Sequence, residues 1–424
     1  MDAERRLAED GAGKSAVRSY AVVTAAYWAF TITDGALRML VLLHFNALGY
    51  TPVQLAFLFL FYELFGILTN LFGGYLAARL GLKVTLTAGL LLQVVALLAL
   101  SAVRADWTVA LSVAYVMAAQ ALSGVAKDLT KMSAKSFIKV LAPAQSQLFK
   151  WVALLTGSKN ALKGVGFFAG GLLLSIAGFK GALFAMAAAL ALVFAGSQLK
   201  LPAQMGRAKA RPKFKAMLSK NRDVNLLSAA RFFLFGARDV WFVVGVPVFL
   251  ASRLGWSFTE VGTFLAVWVI GYGVVQSAAP VFVRGWTRGA APGARSVGVL
   301  AFILAGVTAA IAAGLQTQLS PSLLIVCGLA VFGVIFALNS AIHSYMILAY
   351  SDGDKVAMNV GFYYMSNAGG RLAGTLFSGL LFQEAGVPGC LWGSVAFALG
   401  AAVISTALPE PKASIPFAAA DAAD

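Results

Sequence analysis

Leu48-Gly49-Tyr50-Thr51, followed by Gln54-Leu55, returns 206 residues later as Leu254-Gly255-Trp256-Ser257 followed by Glu260-Val261. A second set keeps nearly the same interval: Asn160-Ala161 answers Asn367-Ala368 at 207, and Lys163 answers Arg371 at 208. Either match alone is short. Two at one spacing, in a chain of 424 residues, read as a duplicated half-chain.

Hydropathy says what each half contains. The chain is 60% hydrophobic and 12% charged, with a mean hydropathy of +0.83. A soluble domain cannot bury that much apolar surface, and runs of about 20 apolar residues fit a hydrocarbon core. Twelve such segments are predicted, at 20–45, 52–78, 83–103, 107–130, 147–177, 179–200, 223–251, 258–284, 293–313, 321–349, 355–383 and 388–408. That is six to each copy. The organisation predicted is a bundle over 1–200, a basic linker over 201–222, a second bundle over 223–408 and a tail over 409–424.

The formal charge of +16 would suggest nucleic acid in a soluble protein. Here it has a better explanation. One set of loops holds the linker cations together with Arg79, Lys83, Lys131, Lys135, Lys139, Arg284, Arg288 and Arg295, and the other holds only Arg104, Lys180 and Arg253. Positive loops stay in the cytoplasm, which puts both termini there. Cys327 and Cys390 form no motif, and no Walker, CxxC or HExxH sequence occurs. No cofactor, metal or nucleotide engine is therefore expected, and no nucleophile–base arrangement suggests an enzyme. The first nineteen residues are polar and lack the apolar core of a signal peptide.

The segment from Gly74 to Lys83, Gly-Tyr-Leu-Ala-Ala-Arg-Leu-Gly-Leu-Lys, resembles the major-facilitator loop signature G-x-L-A-D-R-x-G-R-K. Ala78 replaces its Asp and Leu82 its first closing basic residue, so the gate on this side must be held differently. The resemblance implies an all-α membrane fold, twelve transmembrane helices in two pseudo-symmetric six-helix bundles, with a site between them. Arg79, Lys83 and Lys131 become gating candidates. Gly157, Gly166 and Gly170 keep part of an antiporter motif, but small residues also serve close helix packing.

Charges inside the apolar segments carry the functional reading. An Arg or Lys at the bilayer centre costs about 2.5–3.5 kcal/mol on insertion scales, so such residues face a cavity or a partner. Arg38, Lys159, Lys163, Arg238 and Arg371 fall near mid-depth and find only Asp34, Glu63 and Asp239 as counter-ions. Asp34 and Arg38 are four apart and could pair along one helix face. Two cations stay in surplus even if every acid is matched, and an anionic ligand would neutralise them. Lys163 and Arg371, equated by the repeat, are expected to grip the anion with Arg38, Lys159 and Arg238. Asn160, Asn367 and Tyr62 would add neutral hydrogen bonds. Asp34, Glu63 and Asp239 would hold the cations of an empty site, and Glu63 or His343 could carry a coupling proton. Lys127, Asp128, Lys131 and Lys135 are placed at a helix end, as topology or gating residues.

Four segments are more specific: Tyr27 to Leu40, Phe59 to Gly66, Lys131 to Ser136 and Leu148 to Gly164. Together they look like the organoarsenical efflux permeases of bacterial arsenic-resistance operons, and the resemblance runs along essentially the whole chain. It implies a multi-pass protein of the bacterial inner membrane that expels 1-arseno-3-phosphoglycerate, made by a glyceraldehyde-3-phosphate dehydrogenase acting on arsenate. Such a dehydrogenase would be a functional partner, not necessarily a physical one. The residues themselves ask only for an organic anion. One alternative is a permease or phosphate antiporter for ordinary phosphorylated metabolites such as phosphoglycerate or sugar phosphates. Another, of a different class, is a membrane sensor or scaffold that moves nothing.

Overall fold

The computed structural model describes residues 2–141, 145–201, 221–286, 292–350 and 356–410, and side chains from residue 17 onward except at 71, 73–80, 135–157, 284–291, 348 and 351–358. The predicted linker and tail therefore lie almost wholly outside the described residues. Twelve helices follow in order: α1 (Asp2–Ala47), α2 (Pro52–Leu58), α3 (Leu60–Leu80), α4 (Leu82–Ser101), α5 (Val109–Leu141), α6 (Gln145–Lys200), α7 (Arg222–Phe242), α8 (Gly245–Ser252), α9 (Phe258–Trp286), α10 (Ala294–Gly314), α11 (Pro321–Ala349) and α12 (Val356–Ser405). No strand occurs among the described residues.

These are not one pass each. Ten stretches are long and apolar enough to cross a membrane, with α2–α3 and α7–α8 each forming a single broken pass. The long helices α6 and α12 each fold back once, at Gly178 (φ 66°, ψ −177°) and Gly386 (φ 62°, ψ −156°). Only a residue without Cβ adopts that backbone readily. Folding α6 and α12 in two turns ten stretches into twelve passes. Helices are the natural choice here, because lipid offers no partner for a free N–H or C=O.

The two copies repeat each other in three dimensions. Gly49 and Gly255 both have positive φ, 82° and 70°. Two residues on, Thr51 and Ser257 each open a helix. Gln54 and Glu260 close reciprocal capping boxes on them: Thr51 N–H donates to Gln54 Oε1 (2.9 Å) and Ser257 N–H to Glu260 Oε2 (2.7 Å). The repeated sequence is thus a repeated helix start.

Those same ends seal the fold. Asn46 Nδ2 donates to Ser252 Oγ at 3.1 Å, and these residues are 206 apart, so two symmetry mates meet across the halves. Gly379 lies so close to α2 that an added Cβ would fall 2.6 Å from the Pro52 carbonyl oxygen. Its counterpart Gly171 presses equally on Phe258 of α9. Within the first half, Gly166 and Gly170 pack on the α1 backbone at Ile32 and Ala36, so these glycines of the antiporter-like motif serve close helix contact.

Candidate functional site

A cavity of about 370 Å³ occupies the middle of the molecule, walled by α1, α3, α5, α6, α7, α9 and α12. Its wall reaches no further toward the Gly49–Gly255 end than Arg38 on α1, Lys163 on α6, Phe242 on α7, Trp268 on α9 and Arg371 on α12. It extends the other way, to Asn70, Lys131, Arg231, Ser277 and Tyr364.

Eight cations face this space: Arg38, Lys127, Lys131, Lys159, Lys163, Arg231, Arg238 and Arg371. The wall offers three carboxylates, Asp34, Asp128 and Asp239. Asn160, Asn367, Tyr272, Gln276 and Tyr364 supply neutral polar groups. Among the described side chains singled out in the sequence, Tyr62, Glu63, His343 and Lys83 are not in the wall.

Glu63, fully buried behind the wall, organises the cations. Its Oε1 accepts from Arg371 Nη2 at 2.7 Å and lies 3.2 Å from Arg38 Nη2. Arg371 then turns its Nε to Asp239 Oδ2 at 3.1 Å, and Asp239 also accepts from Arg238 Nε at 2.6 Å. The result is an alternating chain, Arg38–Glu63–Arg371–Asp239–Arg238. It carries three positive and two negative charges, and it joins α1 and α3 of the first half to α7 and α12 of the second.

Two expectations change in detail. Asp34 does not pair with Arg38, four residues on; it accepts the Tyr62 hydroxyl at 2.7 Å, while Arg38 turns to Glu63. Helix spacing permits an i,i+4 pair but does not outweigh a better-placed acid on a neighbouring helix. Tyr62 is thereby committed behind the wall, its ring between Lys127 (4.1 Å to the centroid) and Arg38 (5.7 Å). Lys127, Asp128 and Lys131 are not at a helix end either. α5 runs on to Leu141, about three turns past the predicted apolar segment, and carries all three into the cavity wall.

Lys163 is different from its neighbours. No carboxylate lies within ion-pair distance of it among the described residues; its ammonium sits 5.6 Å from the Phe167 ring. Arg231, not among the mid-depth cations read from the sequence, is 3% exposed and also without a carboxylate partner among the described residues. It donates Nη1 to the Ser340 carbonyl (3.1 Å) and hydroxyl (3.0 Å) and stacks on Phe235 and Tyr363. Its position two turns from Arg238 was the signal that could have placed it in the site. His343 is buried one turn beyond Ser340, its Nδ1 without a hydrogen-bond partner. Lys83 serves elsewhere. It donates to the Gln198 carbonyl at 3.1 Å and to that of Leu201, capping the end of α6. The side chain of Arg79 lies outside the described ones. No cluster of three metal-ligating side chains occurs among the described residues.

Twelve passes in two duplicated bundles, enclosing a charged chamber walled by both, define a membrane transporter of small solutes. Residues 22–291 match the Major Facilitator Superfamily, and the chain belongs to it. Among solved structures it is similar to a D-xylose-proton symporter (TM-score 0.69, 14% identity, 94% of this chain and 98% of that one). It is also similar to the nucleoside transporter NupG (TM-score 0.70, 15% identity, 92% and 98%). At such identities the likeness speaks to the fold alone. No curated protein matches the sequence.

Proposed function

We propose that this chain exports a multiply charged organic anion, and that its cargo is 1-arseno-3-phosphoglycerate. The observation that carries the reading is the imbalance of the cavity wall, eight cations against three carboxylates with Glu63 behind. A neutral sugar, such as the D-xylose of the symporter, needs no such surplus. Desolvated cations are costly unless oxyanions meet them, and Arg and Lys suit phosphate-like groups. The particular cargo rests on the resemblance of the Tyr27–Leu40 and Leu148–Gly164 segments to organoarsenical efflux permeases.

In this reading residues 1–200 rock against 223–408 in the bacterial inner membrane, with both termini cytoplasmic. Lys163, without an acid of its own, meets the incoming anion first. Arg371, Arg38, Arg238 and Lys159 close on it, with Asn160 and Asn367 donating. The anion takes the place of a carboxylate on Arg371, which loosens the Glu63 bridge between the halves and allows them to move. Glu63 or Asp239, once released, carries the coupling proton. The dehydrogenase that forms the arsenylated acid acts upstream.

The test is resistance in an arsenate-sensitive bacterium expressing this chain with a glyceraldehyde-3-phosphate dehydrogenase. Tolerance to arsenate but not arsenite is expected, and Lys163→Gln or Arg371→Gln should abolish it. Protection against arsenite alone, or full protection by both variants, would overturn the reading.

A further inference from the structure

The cavity has a second cationic pole that the alternating chain does not include. Arg231 is nine-tenths and more buried, yet it lines the same space as Lys163 and Arg371. Ser340 fixes it through two hydrogen bonds to Nη1, and Ser340 is itself approached by the Tyr272 hydroxyl at 3.4 Å. Its Nε has no hydrogen-bond partner. A guanidinium held this firmly, stripped of water and facing no carboxylate among the described residues, is prepared for an oxyanion from outside the chain.

Its distance from the first pole is set by one ring. The Arg231 guanidinium carbon lies 4.1 Å from the Phe235 centroid and that of Arg238 lies 4.9 Å from it. The two cations are therefore no more than about 9 Å apart, in keeping with two helical turns along α7. A short carbon chain with an oxyanion at each end can reach both guanidiniums across such a span.

We propose that Arg231 is a second oxyanion subsite, positioned by Ser340, and that the transporter selects short-chain acids bearing anionic groups at both ends. The inference rests on the anion-carrier reading above and adds to it a requirement for two charged ends. Arg238, the second-half end of the alternating chain, takes one end, and Arg231, which shares the Phe235 ring with it, takes the other.

The test compares binding of two stable probes to purified protein in nanodiscs by titration calorimetry. 3-Phosphoglycerate is charged at both ends and glycerol 3-phosphate at one. Wild type should bind the first at least tenfold more tightly. Arg231→Gln should remove most of that preference while changing glycerol 3-phosphate affinity less than twofold; retained binding of the one-ended probe also shows that the variant is folded. Should the Gln variant bind neither probe, Ser340→Ala keeps the charge and frees it, and should lose part of the preference. Equal losses for both probes, or no loss in either variant, would overturn the second subsite and leave the carrier reading standing. Failure of wild type to bind either probe would overturn both.

Discussion

Glu63→Gln is the sharpest perturbation of the charged chamber, because one oxygen of Glu63 holds two guanidinium groups. Arg371 Nη2 lies 2.7 Å from it and Arg38 Nη2 3.2 Å, so the two nitrogens are at most 5.9 Å apart. Two like charges at that separation repel by about 3 kcal/mol at an effective dielectric near 20. Removing the acid also strands its partners, and breaking a buried pair from one side typically costs about 3–5 kcal/mol. Glu63→Gln should therefore lower the unfolding free energy by about 3–5 kcal/mol. Arg371→Gln should cost clearly less. It leaves Arg38 with Glu63 and Arg238 with Asp239, two balanced pairs where the chain had one cation in excess. Denaturant unfolding in mixed micelles, followed by circular dichroism, compares the two variants directly. A phosphorylated acid added to Glu63→Gln should recover part of the loss by supplying the missing negative charge. If Arg371→Gln proves the more damaging, or Glu63→Gln is as stable as wild type, the alternating chain does not neutralise this cavity.

Tyr62→Phe removes a 2.7 Å bond to the buried Asp34 carboxylate, and should cost about 1.5–3 kcal/mol in the same unfolding assay. Ala in place of Gly178 or Gly386 forces a side chain into backbone reserved for glycine, and should cost about 1–3 kcal/mol each; unchanged stability would place the folds of α6 and α12 elsewhere. Asn46→Cys with Ser252→Cys, in a background where the exposed Cys327 is Ser, places thiols where the two halves meet. A short bifunctional thiol reagent should then block transport in proteoliposomes while sparing either single-cysteine variant; unimpaired transport after cross-linking would show that this end never parts.

The fold was legible because membranes and duplication both leave periodic marks. The interval of 206 marked a helix start, and the matching capping boxes on Thr51 and Ser257 explain why those residues recur. Helix ends were less legible where helices outrun the lipid. α5 continues to Leu141 through Lys131 and Lys135, so apolar run length placed Lys127 and Lys131 at an edge when the structure places them in the wall. Of the wall cations, Arg38, Lys159, Lys163, Arg238 and Arg371 could be read, since each violates the cost of charge in lipid. Their pairing could not. Sequence spacing offered Arg38 to Asp34, whereas packing of α3 against α12 brings Glu63, 25 residues from Arg38, to Arg38 and Arg371 together. Arg231 carried the same lipid-cost signal and, like Lys163, finds no acid among the described residues.

The duplication also explains why the two matched cations are not the same residue. Lys163 and Arg371 occupy equivalent places, but Arg371 must reach two acids at once: Nη2 to Glu63 at 2.7 Å and Nε to Asp239 at 3.1 Å. A guanidinium does this with separate nitrogens of one rigid plane. An ammonium is a single point and cannot span both oxygens. Lys163 has no such duty, and under the proposed function a single movable charge suits a residue that waits for a ligand. Arg371→Lys is therefore not conservative: it keeps the charge but should break the bridge between the halves. Its transport should fail while its stability stays nearer that of Arg371→Gln than that of Glu63→Gln, whereas Lys163→Arg should retain measurable transport. Wild-type behaviour from Arg371→Lys would mean that the second half uses Arg371 only as a charge, and that no two-acid bridge holds the halves together.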